Sequence, residues 1–541
     1  MSSTTPTDVG ELAVSEPDEP VPAQRSRLAR SAPMLSFIAR RILSSLLVLL
    51  GATFIVYMLF SLTADPLEDL RFSQDPNRDQ LIAERIDRLN LDVPMLLRYF
   101  MWLGNVITGD LGSSWVNNQP VTALLGTAIP NTLQLVSAAT VLAILLGILV
   151  GIVSALRQYT RFDYSVTFLS FLLFSLPSFW VAVLLKVWGA IGFNNFLRDP
   201  RIAWYMILMI SLVGGALLSA IVAGSLKTRL LSFGISAVAT AGVLFFISET
   251  DWLIHPRLDY FGVAVFGAAI AFAIVALTAG LGNRRALYAS LTAAGVGVVL
   301  LYPLQFLFNT PAAGWLLMLG LAISAAICGC LIGWLFGGDD RGVSMRCAAI
   351  TAVGTGVFIF IDRIMQIWNM YNESPRIRWR PIRTIGASTA GLEGDFWVTT
   401  LDSATHMILP TMTLLLISFA MYTRYTRASM LEVMNQDYIR TARSKGLSER
   451  VVTVRHAFRN ALIPLATVIP LDIAAMFGGA IITESIFGWT GMGRLFITSL
   501  QNADIEPVMG HFLVIGSMLV LANIVVDFVY AALDPRIRVN A

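Results

Sequence analysis

Apolar runs of about 20 residues, each long enough to cross a bilayer as a helix, recur along the chain between short polar stretches. Twelve stand out, at roughly 37–61, 130–154, 166–190, 203–224, 230–248, 261–282, 286–308, 315–337, 346–367, 404–424, 462–487 and 509–533. The pattern predicts an all-α polytopic membrane protein. An even count puts both termini on one side. With the N-terminus inside, the inner loops carry Arg157 and Arg161, Lys227 and Arg229, Arg284 and Arg285, and Arg341 and Arg346. That is the distribution the positive-inside rule asks for. One loop objects: "RIRWRPIRTI" places Arg376, Arg378, Arg380 and Arg383 outside.

The spans are unevenly joined. Residues 201–368 hold six of them, rich in Ala, Gly and Val, with short loops that lack evident chemistry. The first three and last three spans are joined by long, polar, residue-specific segments. The expected organisation is a disordered cytosolic tail (1–34), a first core part (35–200) with an external segment at 62–129, and an inserted hydrophobic block (201–368). An external loop (369–403) and a second core part (404–541) follow, the latter carrying a cytosolic loop at 425–461.

Composition supports a membrane chain. It is 56% hydrophobic and 13% charged, with a mean hydropathy of +0.70. The first 30 or so residues are rich in Pro, Ser, Thr and acids, a mixture that does not pack. A basic group (Arg25, Arg27, Arg30, Arg40, Arg41) then precedes the first span, which reads as retained rather than as a cleaved signal. Cys328, Cys330 and Cys347 lie in or beside apolar runs and suggest neither a disulfide scaffold nor a zinc site.

Against this background "DYIRTARSKGLSERVVTVRHAFRN" (437–460) is out of place. It carries six Lys or Arg, two acids and His456 between two apolar helices. Helix formers run up to Lys445, Gly446 stops the helix, and Ser448 is an expected N-cap for a second one. A short helix ending in a turn suits a groove in another protein.

This segment resembles the cytosolic coupling loop of ATP-binding-cassette (ABC) importer permeases. Arg440, Thr441, Ala442 and Gly446 fall on that loop's pattern, which closes with His456, Phe458, Arg459 and Asn460. The usual Glu is Arg here, the first Ala is Thr and the late Pro is Arg, departures that resemble the peptide-permease branch. "GDLGSSW" (109–115), "SLPSFWVAVLL" (175–185), "ESIFGWTGMGRL" (484–495) and "DFVYAALDPRIRV" (527–539) resemble the same branch and occur in its order. The resemblance, to the first permease subunit of the dipeptide/oligopeptide/nickel importers, covers roughly 35–195 and 400–541. The six-span block has no counterpart in that plan.

The resemblance implies a six-helix permease core interrupted by about six further spans, in a multi-pass protein of the cell membrane with both termini cytoplasmic. It implies a second permease subunit, two cytosolic ATPase subunits holding ATP and Mg, and an extracellular or lipid-anchored substrate-binding protein. The chain itself would bind no cofactor; it has no G-x-x-x-x-G-K-[ST] loop. The docking residues would be Asp437, Arg440, Thr441, Ala442, Lys445, Gly446, His456 and Asn460. Glu484, Gly488, Gly491 and Gly493 would form a partly re-entrant segment facing the pathway. Each also has the plainer reading of an external loop.

Asp472, in "VIPLDIAAMFGG", is the most conspicuous charge within a span. Two readings stand: it faces the pathway and meets a peptide's amino group, or it pairs with a polar group of the companion subunit. A competing function, an ion-coupled secondary transporter, would use Asp472 as its coupling site. Lys186 near the end of its helix is expected to snorkel. Asp362 and Arg363, being adjacent, need separate partners. His255, His406 and His511 suggest no metal site.

Overall fold

The structure is a computed structural model that describes residues 27–222 and 225–533. The opening tail to residue 26 and the closing "DPRIRVNA" (534–541) lie outside the described residues, and with them Arg25, the acidic N-terminal stretch and the end of the last quoted motif. In a hydrocarbon solvent every backbone group must find its partner within the segment, so the apolar runs become helices.

Helix α1 (Arg27–Thr63) is followed by three short helices, α2 (Glu68–Arg71), α3 (Arg78–Arg88) and α4 (Met95–Ile107), and a two-residue β-bridge between Ser113–Ser114 and Gln119–Pro120. Helix α5 (Val121–Leu156) then runs back, followed by α6 (Arg161–Ser175). The 166–190 run is not the single helix expected. Pro177 lacks the N–H that would continue α6 and forces Leu176 into an extended conformation (φ −78°, ψ 128°). The chain resumes as α7 (Ser178–Leu184), a π-helical stretch over Leu185–Gly192, and α8 (Phe193–Phe196).

Six helices form the block: α9 (Trp204–Ile221), α10 (Leu226–Glu249), α11 (Asp259–Thr278), α12 (Arg284–Phe308), α13 (Trp315–Phe336) and α14 (Arg341–Glu373). Helix α15 (Phe396–Met434) returns to the core. It leads to α16 (Asp437–Ser444), α17 (Glu449–Val451), a π-helical turn over Val452–Phe458, and α18 (Arg459–Gly479). The expected 462–487 run is likewise divided, because α18 ends at Gly479 and a separate α19 (Ile481–Phe487) follows. Helices α20 (Met492–Gln501) and α21 (Ile505–Leu533) complete the described chain. Among the described residues, eleven stretches are long and apolar enough to span a membrane, not twelve. Helix α9 is shorter and rises only ~27 Å.

Helices α5 and α15 form the spine. Gly147 and Gly151, one turn apart, let the backbones meet; a Cβ on Gly147 would lie 2.6 Å from Tyr422 Cβ, and one on Gly151 2.7 Å from Thr426 Cβ. At one end of the spine, Asp163 is buried and accepts from Ser154 (2.6 Å), from the Tyr159 N–H (3.1 Å) and from Arg427 Nε and Nη2 (2.6 and 3.0 Å). That clamp ties the α5–α6 turn to α15 at the end where α16 lies.

In the block, α9 and α10 form a hairpin and α11–α14 a bundle. Gly329 and Gly333 of α13 sit directly on the α14 backbone at Ala349 and Met345. Asp362 and Arg363 have separate partners, as adjacency requires. Asp362 accepts from the Leu258 and Asp259 N–H groups (2.8 and 3.0 Å), while Arg363 reaches Asn309 (2.6 Å) and the face of Trp397. The block joins the core at the end remote from α16. Trp397 Nε1 donates to Phe308 O (2.8 Å), Tyr371 OH to Asp402 (2.9 Å), and Phe308, Tyr371, Trp397 and Leu401 share one buried apolar cluster. The two feet of the block are clasped together: Asn194 Nδ2 donates to Ile382 O (2.8 Å) and Ile382 N donates back to Asn194 Oδ1 (3.1 Å).

Candidate transport and docking sites

Helix α16 is eight residues long and two-faced. Ile439 and Ala442, three apart, are buried against Ala155 of α5, Met430 of α15 and Ala457. A larger residue at 442 would lift the helix off this surface. Asp437, Arg440, Thr441 and Lys445 point outward with Tyr438 and Leu447. The helix ends in a Schellman turn. Gly446 N–H bonds Arg443 O (2.9 Å), Leu447 N–H bonds Ala442 O (3.4 Å), and Gly446 has φ +74°. No atom lies within 4 Å of a Cβ built at Gly446, so only the backbone conformation demands glycine there.

Of the basic residues on this face, Arg443 is held by Glu449 across the turn (2.9 Å) and Arg440 approaches Asp437 at 3.6 Å. Ser448 occupies the N-cap position of α17 but its hydroxyl makes no capping bond. Asn460 is brought back to α16 by its bond to Tyr438 OH (2.8 Å), and His456 lines a 280 Å³ cleft with Tyr438, Arg455, Arg459 and Asn460. The structure thus gathers the predicted docking residues at one end of the bundle.

At the opposite end, the glycine-rich segment forms a closed knot. Glu484 is fully buried and accepts from Thr132 (2.6 Å), Gly493 N–H (2.7 Å) and Arg494 N–H (3.1 Å). The two N–H groups belong to the first turn of α20, so the carboxylate caps that helix. Gly491 presses on the Glu484 carboxylate and Thr132, leaving no room for a side chain, and a Cβ on Gly493 would lie 2.5 Å from Ile481 Cα. Gly488 ends α19 in the left-handed region (φ +58°). Lys186, expected to snorkel, instead donates to Ile486 O (2.5 Å) at the end of α19.

Asp472 is half-buried on α18 and accepts from Tyr422 OH of α15 (2.5 Å). Its hydrogen bond is therefore made within this chain, and it stands apart from Glu484. His406 bonds Asp402 O and His511 stacks on Phe496; among the described residues no group of three metal-ligating side chains occurs.

The sequence alone did not reveal a third assembly. The "GDLGSSW" motif lies over the start of α21. Ser114 Oγ donates to the buried Asp504 (2.5 Å), Trp115 Nε1 donates to Ala503 O (3.4 Å), and a Cβ on Gly112 would meet Glu506 Cγ at 2.8 Å. Burial pushes the Asp504 carboxyl up, against the Ser114 and Trp115 hydrogen bonds that lower it. Thr132, Asp163 and Arg427 were missed as well. Each is an ordinary residue in its local pattern, and its partner lies hundreds of positions away or across a turn.

A membrane-embedded helical chain with a separate docking-shaped helix at one end and a sealed, glycine-rich turn at the other belongs among the multi-pass transport permeases. Residues 260–539 match the family described as the binding-protein-dependent transport system inner membrane component, residues 34–136 match the N-terminal component of such membrane proteins, and the chain belongs to this family. It is similar to the oligopeptide transport system permease AppB of Bacillus subtilis, with 25% identity over 507 residues, covering 93% of this chain and all of that protein. The di/tripeptide permease DppB of Pseudomonas aeruginosa is 27% identical over 508 residues, covering 93% and 99% of the two chains. The dipeptide permease DppB of Escherichia coli is 47% identical over 148 residues, 27% of this chain and 42% of that protein. The chain is thus a multi-pass membrane transport subunit that works within a larger complex.

Proposed function

We propose that this chain is a permease subunit of an ATP-driven peptide importer, that α16 and the Gly446 turn dock into a cytosolic ATPase, and that the opposite end receives substrate from an external binding protein. The observation that carries the docking assignment is the Schellman turn at Gly446. It holds a two-faced helix on the end of the α5–α15 spine with Tyr438, Arg440, Lys445 and Leu447 exposed. ATP and Mg belong to the partner. A push on α16 passes through Ile439 and Ala442 to both spine helices, and the Asp163–Arg427 clamp carries it to α6. A second permease subunit would complete the pathway along the half-buried Asp472 on α18. Glu484 and its glycines act there by holding the α19–α20 turn in shape.

Gly446→Pro tests the docking. Proline fixes φ near −65° and removes the N–H that bonds Arg443 O. The variant should express and insert like the parent yet lose substrate-stimulated ATP hydrolysis in the assembled complex. Normal stimulation would refute the docking role. Orientation is tested with an impermeant thiol reagent on intact cells. A cysteine replacing Ser448 should be protected and one replacing Asn118 should react; the reverse labelling would invert the topology.

A further inference from the structure

Helix α14 outruns the membrane. Its 33 residues rise ~50 Å, against a hydrocarbon layer of ~30 Å. Its last turns carry a polar stripe, Gln366, Asn369 and Glu373, on one face. Opposite lies the loop between α10 and α11, with His255 and Arg257 exposed. Between the two walls opens a cavity of 570 Å³, lined by these five residues and Ser374 among others.

The loop wall is rigidly held. Trp368 Nε1 donates to Leu253 O (3.0 Å), Trp252 Nε1 to Arg257 O (3.0 Å), and Asp362 takes the N–H groups of Leu258 and Asp259. Asp251 and Asp259 both sit at φ +50°, a conformation that these contacts maintain. A wall fixed in advance costs little ordering when a ligand arrives. The α14 wall has polar atoms to spare. Asn369 Nδ2 is engaged with Glu373 (3.2 Å), but Asn369 Oδ1 and Ser374 Oγ are shielded and have no hydrogen-bond partner. Shielded polar atoms without a partner are costly unless something fills the site. One wall therefore offers cationic and donor groups, the other a carboxylate, beside which a turn of the Asn369 side chain would bring its partnerless amide oxygen into the cleft.

We infer that this cleft in the block binds a small zwitterion, its carboxylate against Arg257 and His255 and its ammonium against Glu373 and Asn369 Oδ1. Choosing a dipeptide as the probe rests on the peptide reading above, but the measurement involves neither ATP nor a partner subunit. Its outcome is thus separate from the outcome of the docking test.

The test is calorimetric titration of dialanine, N-acetyl-dialanine and dialanine amide into the full chain in lipid nanodiscs. Dialanine should bind, and each blocked form should bind at least tenfold more weakly. Arg257→Gln and Glu373→Gln should each weaken dialanine binding at least tenfold with an unchanged melting temperature. Absence of dialanine binding to the parent, equal binding of the blocked forms, or parent-like binding by both variants would overturn the assignment. If a variant melts early, the blocked probes on the parent still decide the question.

Discussion

Asp504 shows how a single buried acid can tie a distant loop motif to a transmembrane helix. Its carboxyl is pushed up by burial, so the folded protein binds that proton more tightly than the unfolded chain does. The contribution of Asp504 therefore favours the fold at acid pH and is lost as pH rises from the ordinary aspartate range through the raised value. Asp504→Asn keeps the shape and an acceptor for Ser114 but cannot titrate. The melting temperature of the variant, relative to the parent, should rise as pH is raised across that window. A difference that stays constant with pH would show that Asp504 titrates as it would in water. Glu484 works in the same manner at the neighbouring turn, serving two N–H groups and a hydroxyl with one carboxylate. At this scale the sequence displayed the glycines and the acid of "ESIFGWTGMGRL" but gave no sign of Thr132, whose hydroxyl also accepts from Met492 N–H (2.8 Å). A threonine in an apolar helix has no local feature that announces such a contact.

Between elements, closeness of backbone is set by where the glycines fall. Gly147 touches Tyr422 and Thr423, whereas Gly126 on the same helix has nothing within 4 Å of its Cβ position. Gly147→Leu should lower the melting temperature in detergent by an amount reflecting ~1–3 kcal/mol or more of overpacking, while Gly126→Leu should leave it unchanged. Equal effects would mean that α5 and α15 are not in close contact. Helix existence was legible throughout, because long apolar runs admit few alternatives in lipid. Helix continuity was less so. The proline at 177 stops a helix, yet Pro130, Pro410, Pro464 and Pro470 lie inside helices. The residue type alone therefore does not tell the two cases apart. The Gly446 turn, by contrast, was readable because its chemistry is local: helix formers, Lys445, then glycine.

For the whole molecule, the contrast between polar, motif-bearing connections and short featureless ones is what suggests a six-helix core and an inserted block. The family match beginning at residue 260 takes in four of the block's helices, so the boundaries of the block rest on its contacts. Those contacts concentrate where Phe308 and Tyr371 meet Trp397 and Asp402. Excising 201–368 and rejoining would leave α16, the Glu484 knot and the Asn194–Ile382 clasp in place, but would bare the apolar surface of Trp397, Val398 and Leu401. Reduced yield with retained ATPase binding and some uptake is the expected result, measured by copurification and transport in vesicles. Normal insertion and ATPase binding without any transport would place the block inside the transport cycle.

The Asn194–Ile382 clasp also bears on how the protein is made. Its two residues are synthesised 188 positions apart, and between them lie five helices long enough to span a bilayer and the shorter α9, which has to cross as well. They can meet only if the intervening chain has crossed an even number of times. Were one of the six helices skipped, Ile382 would emerge on the opposite face, and α15 to α21 would be laid down upside down. Closure of the clasp is therefore a parity check on biogenesis, passed only when the second half of the core has been delivered in the orientation of the first.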